Sequence, residues 1–148
     1  MNIMILEDDP SAMSVISYLQ ERGYNVWHAQ SLLDVAYFLE EDPGLDHFDK
    51  LMFDAAVLSE SLSFMGKEKI NYGAKDGFSG LEFVVENFDL LKKKSIAIIT
   101  AYNREIHEKM KNTQSGKIID KLEIIDKSDD KFMGQLLNFL NSDEVDYV

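Results

Sequence analysis

The amino-acid sequence predicts an α/β fold, in which one parallel β-sheet is covered by helices on both faces. Two observations support this prediction. Five short apolar runs alternate along the 148 residues with segments whose apolar residues recur at helical spacing. The apolar runs are hydrophobic at nearly every position, which is typical of strands that are buried on both sides of a parallel sheet.

The first two apolar runs are residues 3–6 and 24–29, and a helix is predicted after each of them. The first helix begins at Pro10, because proline suits a first helical turn, and Gly23 ends it. The second helix begins at Ser31, which has an aspartate three positions later, as in a capping box. A proline–glycine pair ends this second helix.

A third strand is predicted between residues 50 and 58. Residues 59–76 follow it; they are polar, contain glycine and are unusually numerous for a loop in a compact domain. Ser79 and Glu82 have the spacing of another capping box, and they therefore predict the start of the third helix.

The last two strand–helix units follow the same pattern. Residues 95–100, with the sequence SIAIIT, are the fourth strand, and residues 103–112 are a modest fourth helix. Residues 122–125 are the fifth strand. A final helix has its apolar stripe at Phe132, Leu136, Leu137 and Leu140. The domain is therefore expected to span residues 1–140, with an acidic tail at 141–148.

The composition limits the classes of function. With 45% hydrophobic and 28% charged residues, the chain suits one globular domain. There is no cysteine, which excludes disulfides and thiolate metal sites and fits a reducing cytoplasm. No signal peptide and no membrane-length apolar run is found. We therefore expect a cytoplasmic protein that does not bind a membrane. Because a net charge of −12 repels phosphate backbones, we also expect that it does not bind nucleic acid.

Polar residues follow the strands at the edge where parallel sheets bind ligands. Glu7 and Asp8 follow the first strand, and Asp54 ends the third in the register that we favour. Thr100 ends the fourth strand, and Lys127 follows the fifth. Carboxylates at neighbouring strand ends suit Mg²⁺. One of them could act as a nucleophile and form an acyl phosphate, while the hydroxyl and the amine hold phosphoryl oxygens.

Five motifs, in their order and spacing, resemble the receiver domain of bacterial response regulators, the CheY-like superfamily, over about residues 1–140. They are LEDDP after the first strand, a Gly-Tyr turn before the second, GLEFV in the third helix, IITAY at the end of the fourth strand and DKS after the fifth. The resemblance implies a doubly wound, flavodoxin-like sheet of five parallel strands in the order 2-1-3-4-5.

The resemblance also implies a function in two-component signalling. A partner histidine kinase, a phosphotransfer protein or a small acyl phosphate would phosphorylate the chain, which would then act on a downstream protein partner and could form a homodimer. It would be no enzyme beyond its own phosphorylation and dephosphorylation. The implied site residues are the phosphoacceptor Asp54 with Thr100 and Lys127, and the Mg²⁺ ligands Glu7, Asp8, Asp54 and the backbone carbonyl of Ala56.

Three features depart from the family pattern. Ile124 stands where the family has an aromatic switch residue, and Ser128 stands where it usually has proline. The segment between the third strand and the third helix is longer than usual. The segment FDAAVLSESL also fits the pattern of the third strand, and it would place Ser59 rather than Asp54 at the acceptor position.

Two alternative functions stay open at this point. With Ser59 in the acceptor position, the chain would be a pseudo-receiver, an interaction module that is not phosphorylated. The other alternative is a small Mg²⁺-dependent phosphohydrolase. Against the hydrolase, the chain is too short for a cap domain and has Ala56, not a second acid, two residues after Asp54.

Overall fold

The computed structural model of the chain describes residues 1–110, 117–118 and 122–142. Within these ranges the strands are β1 (Asn2–Leu6), β2 (Asn25–Ala29), β3 (Lys50–Asp54), β4 (Glu60–Leu62), β5 (Ile70–Tyr72), β6 (Ser95–Thr100) and β7 (Glu123–Asp126). The α-helices are α1 (Ala12–Glu21), α2 (Leu32–Glu40), α3 (Ser79–Glu86), α4 (Phe88–Leu91), α5 (Asn103–Met110) and α6 (Phe132–Asn141), and a 3₁₀ turn is formed by Leu45–His47.

The main sheet has five parallel strands in the order β2-β1-β3-β6-β7. Numbered along the chain without β4 and β5, this is the order 2-1-3-4-5, so the predicted fold class is confirmed. Alternate residues of β1 lie on opposite faces. Ile3 and Ile5 pack with α1 and α6, whereas Met4 and Leu6 pack with α2 and α3. The strands are therefore apolar at successive positions because helices cover both faces of the sheet.

Residues 59–76, which were predicted to form a polar loop, contain regular secondary structure. They contain an antiparallel hairpin, in which Glu60 of β4 lies opposite Tyr72 of β5. The side chains of Leu62, Phe64 and Tyr72 are buried in the core on the α2–α3 side of the sheet. The Phe64 and Phe83 rings have their centroids 4.9 Å apart. The hairpin is therefore an integral part of the hydrophobic core.

Two predicted segments lie partly outside the described residues. The predicted fourth helix, 103–112, is observed as Asn103–Met110, and its last two residues fall outside. The predicted acidic tail is described only through the end of α6 at Asn141 and through Ser142. No helix in the described part of the chain is long and apolar enough to cross a membrane.

The two predicted capping boxes behave differently. Ser31 is the N-cap of α2, and its hydroxyl accepts a hydrogen bond of 3.1 Å from the Asp34 N–H, as predicted. The prediction for Ser79 is wrong, because Ser79 is already the first residue of α3 and makes no capping bond. Its hydroxyl is buried and bonds instead to Val57, in the chain that leaves β3. A tertiary contact therefore replaces the local cap.

Replacing Ser31 by alanine is expected to lower the free energy of unfolding by about 1 kcal/mol, because the Asp34 N–H loses its acceptor. Chemical denaturation would measure this change. Ser11→Ala is the matched control, since Ser11 precedes α1 without forming a side-chain cap. Equal losses in the two variants would contradict a capping role for Ser31.

Candidate functional site

The carboxyl ends of the central strands bring the predicted polar residues to one edge of the sheet. Glu7 and Asp8 directly follow β1, and Asp54 is the last residue of β3. The strand register places Asp54 opposite Ile99, one residue before Thr100 at the end of β6. Asp126, the last residue of β7, lies opposite Thr100, so Lys127 follows at the same edge of the sheet. The topology thus assembles residues that are up to 120 positions apart.

Asp54 is the centre of this edge. Its side chain is buried, with the residue only 6% exposed, and its Oδ2 lies 2.5 Å from the Lys127 Nζ. Its Oδ1 accepts a hydrogen bond of 2.9 Å from the Ala56 N–H. The same ammonium forms an ion pair with Glu7, which is 5% exposed. One cation therefore bridges two buried carboxyl groups.

Burial and the close contacts within this cluster shift the pKa values of Asp54 and Lys127. Burial, followed by the hydrogen bond to Glu7, raises the pKa of Asp54 to about 7, although Lys127 and the Ala56 N–H act in the opposite direction. Burial lowers the pKa of Lys127, but hydrogen bonds to Asp54 and Glu7 outweigh burial and the pKa is raised overall. The lysine thus keeps its positive charge, whereas burial makes the ionised form of Asp54 costly.

Thr100 lies at the end of β6 with its residue 1% exposed. Its hydroxyl oxygen accepts a hydrogen bond of 2.7 Å from the Tyr102 N–H, and its carbonyl accepts one of 2.9 Å from the Lys127 N–H. The threonine therefore connects the loop after β6 to the residue that contacts Asp54. Ile124, at the family's aromatic position, packs half-buried against the core on the α2–α3 side.

The register of the third strand is resolved by the structure. Residues Lys50–Asp54 form β3 and all of them are buried, so Asp54 occupies the strand end. Ser59 comes five residues later, immediately before β4. It packs against Gly73, at the base of the hairpin. The alternative register, with Ser59 at the acceptor position, is not the one that the chain adopts.

Receiver domains of known structure share this arrangement of strands and helices. The receiver domain of the hybrid histidine kinase CckA matches with a TM-score of 0.57 and 18% identity, over 95% of this chain and 100% of that one. The response regulator TrrA from Thermotoga maritima, in complex with Mg²⁺-BeF, matches with a TM-score of 0.56 and 18% identity, over 93% and 97% of the two chains. This chain has the receiver-domain fold.

A third match is a structure of the histidine kinase ThkA in complex with TrrA, with a TM-score of 0.56 and 20% identity, over 95% of this chain and 98% of the other. No protein-family model and no curated protein matches the sequence. At identities of this size, the likeness describes the receiver fold.

The acidic group in this receiver fold suits a divalent cation. One carboxylate oxygen from each of Glu7, Asp8 and Asp54 lies within 4.8 Å of the others. All three are hard oxygen donors, the type that Mg²⁺ prefers. Burial, which raises the pKa of Asp54, makes an ionised carboxylate costly at this position, and a bound cation would offset that cost. The residues present therefore fit Mg²⁺, and Ala56, the implied carbonyl ligand, comes two residues after Asp54 and contacts its side chain through the Ala56 N–H.

Two residues that the sequence analysis did not connect with the site hold the loop after Asp54. The Ser79 hydroxyl donates to the Val57 carbonyl at 2.7 Å and accepts from the Val57 N–H at 3.1 Å. Gly80 packs so closely on Asp54 that a Cβ there would overlap the Asp54 carbonyl oxygen. Its N–H donates to the Ala55 carbonyl at 3.0 Å. A serine–glycine pair at the start of a helix gives no sequence signal for such tertiary contacts.

Proposed function

We propose that this chain is a response-regulator receiver that accepts a phosphoryl group on Asp54. One observation carries the proposal. At the carboxyl edge of a receiver-fold sheet, a buried carboxyl group lies 2.5 Å from a lysine ammonium, within a cluster of three acids suited to Mg²⁺. A chain that required Asp54 only for structure would gain nothing from burying it beside Glu7, since the burial of paired carboxyl groups is costly.

The proposed step is a direct displacement at phosphorus. A carboxylate oxygen of Asp54 attacks, the new P–O bond gives an acyl phosphate, and the bond to the donor breaks. The electron pair of that bond leaves with the donor, which is a phosphohistidine nitrogen of a kinase or the carboxylate of a small acyl phosphate. Mg²⁺, when bound, would neutralise charge on the phosphoryl oxygens.

Lys127 and Thr100 supply the remaining contacts in this proposal. The Lys127 ammonium, already charged and beside Asp54, would bind a phosphoryl oxygen after the transfer. The Thr100 hydroxyl, which accepts a hydrogen bond from the Tyr102 N–H, would turn and donate its own proton to another phosphoryl oxygen. The loop after β6 would then rearrange and alter the surface of β6 and β7. The chain would act as a switch and not as an enzyme with a separate substrate.

The proposed partners follow from this chemistry. A histidine kinase or a phosphotransfer protein would supply the phosphoryl group, and a downstream protein would read the altered surface. The chain is acidic, with a net charge of −12, which disfavours nucleic acid as the direct target. The pseudo-receiver alternative with Ser59 as the acceptor is disfavoured, because Ser59 comes five residues after the end of β3. The hydrolase alternative lacks a second acid at Ala56.

Intact-protein mass after incubation with Mg²⁺ and acetyl phosphate tests the proposal. We expect a gain of one phosphoryl group in the parent protein and none in Asp54→Asn. Ser59→Ala is the matched control and is expected to gain the group like the parent, because Ser59 lies outside the acceptor position. The label should be lost with hydroxylamine, which cleaves acyl phosphates. Labelling that persists in Asp54→Asn, or that resists hydroxylamine, would overturn the assignment.

A further inference from the structure

His28 makes a hydrogen bond to the backbone of the acidic pair. It lies on β2, beside β1, and its Nε2 is 2.7 Å from the Glu7 carbonyl oxygen. A carbonyl oxygen can only accept, so the ring must carry its proton on Nε2 and donate it. The side chain is partly buried, which favours a lasting bond over one that water replaces.

The bond occurs where the regular ladder between β1 and β2 ends. The Glu7 N–H donates to the Ala29 carbonyl at 2.9 Å, which extends the sheet pattern by one residue. The parallel register would direct the N–H of Ser31 at the Glu7 carbonyl, but β2 stops at Ala29 and Ser31 is already the N-cap of α2. The chain has turned away from β1 at this point. The His28 ring therefore supplies to Glu7 a donor of the kind that a longer strand would have provided.

The Glu7 carbonyl belongs to the peptide group that joins Glu7 to Asp8. Fixing the plane of this peptide restricts the direction in which both side chains leave the backbone. The Glu7 side chain is separately held by Lys127 and by the Asp9 N–H, which donates to its Oε1 at 3.1 Å. Asp8, in contrast, is exposed. Its position depends strongly on the peptide that His28 holds.

We propose that His28 is a positioning residue for the metal ligands Glu7 and Asp8. It acts through the peptide between them and does not touch the cation. This inference rests on the proposed function, since it assigns a role toward Mg²⁺. Partners that orient metal ligands typically change affinity by about 10- to 100-fold when they are removed.

Two substitutions separate the hydrogen bond from the bulk of the ring. His28→Gln places an amide N–H near the position of Nε2, whereas His28→Leu keeps the volume and removes the donor. We expect His28→Leu to weaken Mg²⁺ affinity about 10-fold, and His28→Gln to restore most of it. Isothermal titration with Mg²⁺ measures both. His47→Leu is the control, because His47 bonds Asn2 at the opposite edge of the sheet, and its affinity should equal that of the parent.

A second readout does not need the metal. In metal-free protein, the ¹⁵N–¹H signal of Asp8, the amide of the same peptide group, should shift in His28→Leu and return toward the parent position in His28→Gln. Equal Mg²⁺ affinities of the parent and His28→Leu would overturn the inference while leaving the proposed function intact. Equal losses in the leucine and glutamine variants would also overturn it. A parent that binds no Mg²⁺ would overturn the proposed function, and the inference with it.

Discussion

Gly80→Ala is expected to lower the free energy of unfolding by about 3 kcal/mol, because the new methyl group has no space. A Cβ on Gly80 would overlap the Asp54 carbonyl oxygen and lie 3.1 Å from the Asp54 carbonyl carbon. These atoms belong to the backbone at the end of a fully buried strand, so they cannot move aside as a flexible side chain would. Either α3 shifts outward or β3 distorts.

Gly134→Ala is the matched control for this prediction. Gly134 lies inside α6, and a Cβ there would meet no atom within 4 Å. The same substitution should therefore stabilise the protein by about 0.5 to 1 kcal/mol, through helix propensity alone. Urea denaturation of the two variants and the parent measures both effects. Two alanines with the same sign of effect would contradict the close approach of α3 to Asp54.

Gly80→Ala should also slow phosphorylation of the folded protein by acetyl phosphate, since the displaced atoms belong to the proposed acceptor residue itself. The rate is best measured well below the denaturation midpoint, where nearly all molecules are folded. The stability and the reactivity of this edge of the sheet therefore have a common origin, in the packing of the start of α3 against the end of β3.

The strands and their order could be predicted because burial leaves a direct signature in the sequence. Residues 95–100 are apolar at almost every position, and they form β6 with the predicted bounds. The edge of the sheet could be predicted for the same reason. Each buried run ends where a charged or hydroxyl residue appears, as at Glu7 and Thr100, and parallel strands place those ends together.

The hairpin was missed because its strands have only three residues each and lie within a polar segment. A weak signal was present, since Leu62 and Phe64 alternate with serine, and Ile70 and Tyr72 flank an asparagine. All four contribute to the core or pack against it. Their pairing across the turn depends on contacts with α2 and α3, which no local pattern contains.

The geometry at Asp54 could be predicted only in part. The sequence predicts that Asp54 and Lys127 lie at one edge of the sheet. It does not predict that the Lys127 ammonium bridges the two buried carboxyl groups of Asp54 and Glu7. Likewise, the spacing of Ser79 and Glu82 suggested a local cap. The buried hydroxyl of Ser79 instead bonds the backbone N–H and carbonyl of Val57. This arrangement is the more stable one, because an unpaired buried backbone group costs more free energy than an uncapped helix end.

Asp54→Asn is expected to stabilise the metal-free protein, and to do so more at pH 8 than at pH 5. The pKa of Asp54 is about 7 in the folded protein, against an ordinary value of 3.8. Between these values the folded state binds a proton that the unfolded chain has released. The contribution of Asp54 to the free energy of unfolding therefore falls as the pH rises from about 4 to about 7. Above pH 7 the full cost of burying the charged carboxylate is present.

The asparagine removes this cost because it carries no charge at any pH. The stabilisation by Asp54→Asn should be larger at pH 8 than at pH 5 by about 2 kcal/mol. Denaturation with a chelator present measures it. Asp46→Asn is the control, since Lys93 lowers the pKa of that exposed carboxyl and the substitution should give no stabilisation at pH 8. A gain from Asp54→Asn that is equal at both pH values would contradict a costly carboxylate at Asp54.

Adding Mg²⁺ should reduce the stability advantage of Asp54→Asn over the parent, since the cation offsets the negative charge that the asparagine removes. A ligand that binds only the folded state at 100 times its dissociation constant stabilises it by about 2.7 kcal/mol. The parent would gain this amount at pH 8. Asp54→Asn would gain less, because it keeps only Glu7 and Asp8 of the three acids. The charge that makes the metal-free fold costly at Asp54 is thus the charge that makes the edge of the sheet a site for a cation.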